Sequence, residues 1–297
     1  MKIVFLGNHT VGVRSLEAIA ETEEIAGVVA HPPDPEDGVR YVSVHDHALA
    51  HGWPVIRAAG RDSALIEFVA AARADLLWIT DYRYLVPRAV LALAPLGAIN
   101  LHPSLLPRYR GRAPINWAIL EGERRLGLTA HFVDEGVDSG DVIVQRSFEL
   151  GLDQDVGDAL AALYPLYTAV TREVLSAFRS GCVPRRAQDH SDATTFPARR
   201  PEDGLIDWSK PAPRVRDLVR AVARPYPGAF TSAAGRRLNV WRACTAPGEP
   251  AVPPGTVVAT TEAGALVRCG AGLLVVSEIE WDGGEPASLA EGMTLGR

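Results

Sequence analysis

Short, unbroken apolar runs alternate with longer stretches of helical spacing over roughly the first 180 residues. Lys2 to Leu6 is a compact apolar run that stops at Gly7, and Val11 to Ala20 follows with apolar residues on one helical face. The chain therefore opens as strand, glycine turn and helix. The alternation recurs. It predicts strands over Ile25 to Ala30, Pro54 to Ile56, Asp75 to Thr80 and Leu96 to His102, and helices over Val44 to His51, Ser63 to Arg73, Pro87 to Leu93 and Ala113 to Leu120. Strands without polar alternation, separated by helices, are those of a sheet covered on both faces, so the pattern predicts an α/β fold with a doubly wound, mostly parallel sheet. Thr129 to Val133 and Val142 to Phe148 read as further strands. Val156 to Arg179 reads as a long amphipathic helix that covers the sheet.

The pattern changes near Gly181. Cys182 to Asp203 is irregular, broken by Pro184, Pro197 and Pro201, and reads as a linker across the surface. Asp207 and Trp208 open a second region, with a helix over Pro213 to Ala223. Short β segments follow over Gly228 to Ala233, Arg237 to Cys244, Gly255 to Thr260, Leu266 to Cys269 and Leu273 to Glu280. Strands this short and this closely spaced predict a small antiparallel barrel. The expected organisation is a catalytic domain over 1–181, a linker over 182–205 and a barrel domain over 206–297.

Composition narrows the class of protein. The chain has 297 residues and 31.8 kDa, enough for two cores, and its 47% hydrophobic and 22% charged residues are those of an ordinary globular protein. A formal charge of −6 argues against a broadly basic nucleic-acid binder. Locally the balance differs: Ile206 to Ala246 carries eight Lys or Arg against two Asp or Glu, while Pro247 to Arg297 carries two against seven. Cys182, Cys244 and Cys269 are isolated and read as reduced thiols, neither a disulfide framework nor a metal site. The apolar run at Met1 is too short for a signal peptide and no stretch is long enough for a membrane span, so a cytoplasmic location is expected. Nothing in the sequence specifies an oligomeric state.

The chemistry concentrates between Asn100 and Asp141. Asn100 and His102 stand at i and i+2 at the end of a strand, so both face the same way while Leu101 turns into the core. Pro103, Pro107 and Gly111 exclude regular structure and predict an ordered loop. A second strand delivers the glycine-containing loop Asp134 to Asp141, which includes Asp138. An amide can donate to a developing oxyanion, a neutral imidazole can accept a proton from an attacking amine, and a carboxylate can orient that imidazole. These are the parts of acyl transfer to nitrogen through a tetrahedral intermediate. A strand-end His or Asn is nevertheless more often a satisfied structural residue.

Elsewhere the signals are weaker. Gly7 to Gly12 lacks the middle glycine of a dinucleotide fingerprint and the Lys-Ser/Thr pair of a P-loop, which disfavours a nucleotide-dependent oxidoreductase. The helix that starts there could still receive an anionic group, which makes Asn8 and His9 candidate substrate contacts. His47 and His51 are at i and i+4, but no third metal ligand is evident and no metal is expected.

The run Asn100-Leu-His102, then Ser104-Leu-Leu-Pro107 and Gly111, followed some thirty residues later by Asp138-Ser-Gly-Asp141, resembles the 10-formyltetrahydrofolate-dependent formyltransferase family. That family includes enzymes acting on methionyl-tRNA, on glycinamide ribonucleotide and on nucleotide-linked amino sugars. The resemblance extends over nearly the whole chain and implies an OB-like C-terminal domain. It implies Asn100, His102 and Asp138 as the catalytic trio, and Arg83, Tyr84, Leu85, Asp134, Gly136 and Val137 as the residues holding the pterin of 10-formyltetrahydrofolate. The tRNA-acting members carry a longer basic insertion where this chain has Asp34, Glu36 and Asp37 against Arg40. On that ground the expected acceptor is a small-molecule amine, a nucleotide-linked amino sugar or an ornithine-like amine, with methionyl-tRNA as the alternative. A non-catalytic folate-binding module is the remaining reading, and the intact trio argues against it.

Overall fold

The computed structural model describes residues 1–32 and 41–296; the acidic positions Asp34, Glu36 and Asp37, with Arg40, lie outside the described residues. In chain order the elements are β1 (Lys2–Gly7), α1 (His9–Ala20), β2 (Glu24–Ala30), α2 (Val44–Ala50), β3 (Val55–Arg57), α3 (Ser63–Ala72), β4 (Leu76–Thr80), α4 (Arg88–Leu91) and β5 (Ala98–His102). They continue with β6 (Arg110–Gly111), α5 (Pro114–Leu120), β7 (Arg125–Phe132), β8 (Val142–Glu149), α6 (Val156–Ser180) and β9 (Thr195–Phe196). The last group is α7 (Ala212–Ala221), β10 (Ala229–Ala233), β11 (Arg236–Ala246), β12 (Val257–Thr261), β13 (Gly264–Arg268), β14 (Leu273–Trp281) and β15 (Leu295–Gly296). The chain forms two compact units. One comprises Met1–Gly111, Leu126–Phe148 and Ala161–Phe196, the other Arg112–Arg125, Glu149–Leu160 and Pro197–Arg297.

In the first unit seven strands form one sheet in the order β3-β2-β1-β4-β5-β7-β8. The pairs from β3 to β5 are all parallel, and β5 pairs with β7 antiparallel. This is the doubly wound, mostly parallel sheet that the apolar pattern predicts. Ile3 and Phe5 on one face of β1, and Val4 and Leu6 on the other, are all fully buried. Val4 and Leu6 pack with Val29, Leu65, Val69, Leu77 and Ile79 in one cluster, where each large aliphatic side chain contributes about 1.5–3 kcal/mol. Between β1 and β4 the winding direction reverses, and the crevice outside the carboxyl ends of strands at such a point is where α/β folds hold ligands.

The structure lengthens one expected strand: β7 begins at Arg125, four residues before Thr129. Gly127 hides that start in the sequence. It is needed for close approach, since a Cβ there would lie 2.3 Å from the Arg146 carbonyl oxygen and 2.5 Å from Leu105 Cδ2.

In the second unit six strands form an antiparallel sheet in the order β12-β13-β14-β11-β10-β15. The sheet curls until its edges meet through the antiparallel bridge Thr256–Thr294. Leu238, Val240, Val257, Val267, Leu274 and Val276 are buried, as period-2 alternation requires of a sheet with one inward face. The strand β15 was not expected, because two residues carry no periodicity to detect.

Candidate active site

The site is assembled at one end of β5. Parallel register places Ile79 opposite Asn100 and Thr80 opposite Leu101, so β4 and β5 end side by side. On the other flank, antiparallel register sets Asn100 against His131 of β7. The loop after β7 returns to these strand ends as a closed lasso. Its neck is the bond from the Phe132 amide to the Asp141 carbonyl at 2.9 Å, and Gly140 is pressed there, since a Cβ on it would lie 1.9 Å from the Phe132 oxygen. Asp138, near the tip, adopts a left-handed φ of 51°. Five of the seven non-glycine residues with positive φ among the described residues are His9, Asp81, Tyr109, Ala113 and Asp138, in the turns and loops after β1, β4, β5 and β7. Such conformations cost of order 1–3 kcal/mol each and concentrate at functional sites.

The three residues that the sequence singles out are brought together. Asn100 Nδ2 donates to Asp138 Oδ1 at 3.3 Å, and His102 Nδ1 lies 3.5 Å from Asp138 Oδ2. Asp138 Oδ2 also accepts from the Gly111 amide at 2.9 Å. The carboxylate thus reaches the amide, the imidazole and the loop after β5 at once. His102 is buried with 5% exposure, whereas Asn100 is only half-buried and faces outward in part.

Partners fix the proton positions. His102 Nε2 lies 2.8 Å from the Tyr109 carbonyl, which can only accept, so Nε2 carries hydrogen and Nδ1 is the basic nitrogen of the neutral ring. His131 Nδ1 lies 2.8 Å from the Phe132 carbonyl, so its Nε2 is left as an acceptor, and Asn100 Nδ2 stands 3.2 Å from it. Both hydrogens of the Asn100 amide are consequently engaged at rest, one on Asp138 and one on His131. Burial pushes the imidazolium pKa of His102 below its ordinary value, while the Asp138 carboxylate and the Tyr109 carbonyl pull it upward. Burial opposes ionisation of Asp138, but the His102 imidazole and the Gly111 amide outweigh it and hold the carboxyl well below the usual carboxylate range. At neutral pH the resting state is a carboxylate facing an unprotonated Nδ1.

His131 is the residue that sequence reasoning missed. It is buried at 2% exposure and its Nε2 lies 3.6 Å from Asp138 Oδ1. Its signal was present: in β7 the residues Thr129 and His131 share one face, and a second polar position on an otherwise apolar strand marks that face. Tyr109, Arg110, Gly111 and Gln188 were missed as well: Tyr109 and Gly111 act through backbone, Gln188 comes from an irregular segment, and Arg110 lies in a strand of two residues that carries no periodicity.

The other expected site residues follow the ends of β1, β4 and β7. Arg83 donates its backbone amide to His31 Nε2 at 2.9 Å. Tyr84 packs edge-on to His31 at 5.5 Å between ring centres. Leu85 and Val137 are exposed apolar side chains, at 78% and 47%. Asp134 turns its own loop, accepting from the Gly136 amide at 3.0 Å and the Ser139 hydroxyl at 2.7 Å. An ion pair from Arg88 to Glu135 at 2.9 Å joins the segment after β4 to this loop. The turn after β1 holds Asn8 against His31 Nδ1 at 3.1 Å and His9 Nδ1 against Asp81 Oδ2 at 2.6 Å, with the His9 ring tilted against that of Tyr41 at 3.8 Å between centres. His51 stacks on Trp53 with the His47 ring tilted against it, and among the described residues no group of three or more His, Cys, Asp or Glu could hold a metal ion. Among them, too, no helix is long and apolar enough to cross a membrane.

A doubly wound sheet with an amide, two imidazoles and a carboxylate gathered at its strand ends, followed by a curled antiparallel sheet, defines a class. Residues 1–164 match the family described as formyl transferase, and residues 199–294 match the formyl transferase C-terminal domain. The chain belongs to the formyl transferase family. It is 34% identical over 288 residues to the methionyl-tRNA formyltransferase of Desulfotalea psychrophila, covering 95% of this chain and 89% of that protein. Among solved structures it is similar in fold to the N-formyltransferase of Helicobacter canadensis in complex with folinic acid and dTDP-3-aminofucose, with a TM-score of 0.69 and 17% identity over 93% of this chain and 99% of that one. It also resembles the methionyl-tRNA formyltransferase of Clostridium thermocellum, with a TM-score of 0.58 and 17% identity over 84% of this chain and 95% of that one.

Proposed function

We propose that the protein transfers a formyl group from 10-formyltetrahydrofolate to an amine nitrogen, and that Asn100, His102 and Asp138 carry the reaction. The observation that supports this reading is the shared carboxylate of Asp138, within 3.5 Å of both Asn100 Nδ2 and His102 Nδ1. Leu85 and Val137 are exposed apolar side chains on the segments after β4 and β7, which the Arg88–Glu135 pair bridges, and such side chains can pack on the faces of a flat ring. The folate, when bound, supplies the formyl carbon as electrophile. An amine is protonated at neutral pH in whole or in part and must lose that proton to attack. Nδ1 of His102 takes the proton, and Asp138 then faces a charged imidazolium at 3.5 Å, which it stabilises. Asn100 releases one of its two resting bonds and donates that hydrogen to the oxygen on which charge builds. As that charge returns to the carbonyl, the bond from the formyl carbon to the folate nitrogen breaks, and the departing nitrogen takes its proton from the His102 imidazolium, so that tetrahydrofolate and the formylated amine are the products.

For the acceptor, the relatives similar over 95% of the chain favour methionyl-tRNA, ahead of the small-molecule amine that the sequence alone favours. The basic segment from Ile206 to Ala246 is compatible with phosphate contacts. One observation favours the small amine as a second reading: five of the eight cations in that segment are engaged with acids of their own unit. Arg214 pairs with Glu121, Arg216 and Arg220 with Asp217, Arg224 with Glu278 and Glu280, and Arg236 with Glu285. Purified protein given 10-formyltetrahydrofolate and, in parallel, methionyl-tRNA, a nucleotide-linked amino sugar and ornithine decides the matter by mass spectrometry of the product. A formylated aminoacyl-tRNA with steeply salt-dependent KM supports the first reading, and a formylated small amine with salt-independent KM supports the second. Absence of formyl transfer to every amine would overturn both.

A further inference from the structure

Gln188 lies in the irregular stretch between α6 and β9, fifty residues from Asp138 in sequence, and is buried at 7% exposure. Its side-chain amide is saturated. Nε2 donates both hydrogens to the catalytic loop, to the Asp138 carbonyl at 2.8 Å and the Gly140 carbonyl at 2.7 Å. Oε1 accepts two hydrogens from Arg110, from Nε at 3.2 Å and Nη2 at 2.6 Å. The orientation of the amide follows from its neighbours, since the flipped form would set Oε1 against two carbonyl oxygens and the NH2 against a guanidinium.

Arg110 stands between the two groups that hold the rest of the trio. Its predecessor Tyr109 presents the carbonyl that fixes His102 Nε2, and its successor Gly111 presents the amide that binds Asp138 Oδ2. Tyr109 is itself held by its amide on the Thr194 hydroxyl at 2.9 Å, and Arg110 Nη2 also reaches His190 Nδ1 at 3.1 Å. One glutamine therefore ties the backbone of Asp138 to the segment that positions His102. We propose that Gln188 is a positioning residue that sets the separation of the Asp138 carboxylate from His102, holding Asp138 in a left-handed conformation that it would otherwise relax. The inference rests on the formyl-transfer reading of this site. A displacement of about 1 Å between reacting groups can lower turnover on the order of a hundredfold, so a residue far from the chemistry can control it.

The groups facing His102 are Asp138, His131 and Arg110, and of these Asp138 sustains its basicity. Loosening the loop withdraws that support. Gln188→Met, which keeps length and removes every hydrogen bond, is expected to lower kcat tenfold or more, to leave the KM of the amine within about twofold, and to move the acid limb of kcat/KM to lower pH. Gln188→Glu keeps the Arg110 contact and removes the donors to the loop. It is expected to lose as much activity as Gln188→Met, and it serves where that variant fails to fold. The double variant with Asp138→Asn is expected to be no slower than Asp138→Asn alone, because both changes act on one interaction. Unchanged kcat in both single variants, an additive double variant, or a fall in kcat that tracks a lowered Tm with the acid limb unmoved would overturn the assignment. Wild-type protein is run beside them: inactivity of the wild type defeats the formyl-transfer reading itself, whereas an active wild type with indifferent Gln188 variants defeats only this inference.

Discussion

The strand ends of the parallel sheet and the curled antiparallel sheet put their polar groups in opposite places. Around the ends of β5 and β7, His102 and His131 from the strands and Gln188 from the stretch after α6 are buried, and each faces polar groups on both sides. In the curled sheet the interior is largely aliphatic, its buried Thr231 hydroxyl met by the Trp208 indole and the Gly296 carbonyl, and three of the cations lie on rings at the surface. Arg224 covers Trp241 at 4.2 Å, Arg236 covers Trp281 at 4.6 Å and Arg237 covers Phe230 at 3.7 Å. Burying a polar group is unfavourable unless its donors and acceptors are met, so a cluster of several such groups at one set of strand ends is costly to build. The first arrangement fixes proton positions, and the second fixes a shape.

That contrast can be tested from its strongest consequence downward. His102→Ala and Asp138→Ala should each lower turnover by about two or more powers of ten while leaving Tm little changed; near-normal turnover in either would strip it of its assigned role. Leu238→Ala, at a fully buried position of the curled sheet, should instead destabilise the protein by about 2–5 kcal/mol, measured by denaturant unfolding. A stability loss under 1 kcal/mol, on the order of a surface change, would show that this interior is loosely packed. His131→Ala should weaken turnover by about tenfold, since Asn100 then loses one of the two partners that aim its amide, and a kinetic comparison with His102→Ala ranks the two imidazoles. The pH profile follows from the depressed His102 value: the basic form already prevails at neutral pH, so activity should persist as pH falls through the ordinary histidine range near about 6.5 and decline only below it. A limb centred above that range would contradict the burial that sets it. The smallest effect concerns the thiols. Burial raises the pKa of Cys269, which is pushed up to about 12, whereas Cys182 and Cys244 are exposed. A thiol reagent should label two cysteines in the native protein and three after unfolding.

Much of the fold was legible because its elements are periodic. Buried strands without alternation and helices with one apolar face follow directly from Lys2–Gly7, His9–Ala20 and their repeats, and β10 to β14 follow from short β segments at close spacing. Asn100 and His102 were legible because a strand fixes i and i+2 on one face, and Asp138 because its loop matches a long family pattern. What escaped was set by tertiary register. His131 reaches Asn100 only because β7 runs antiparallel to β5, and nothing in the spacing of either strand fixes that direction. Gln188 lies in a stretch with no regular period, where a buried side chain leaves no signature. The start of β7 was masked by Gly127, whose missing side chain breaks the apolar run for a reason that only the neighbouring strand reveals.

The neck between Phe132 and Asp141 gives the loop that carries Asp138 the character of a ruler. Loops at a protein surface ordinarily absorb insertions and deletions with little penalty, but both ends of this one are clamped and its tip must land on two fixed strand ends. Since each residue adds up to about 3.5 Å of reach, lengthening or shortening the segment 133–140 by a single residue would carry the carboxylate past its target or leave it short. Variation in this part of the chain is therefore confined to what the residues are and excludes how many there are.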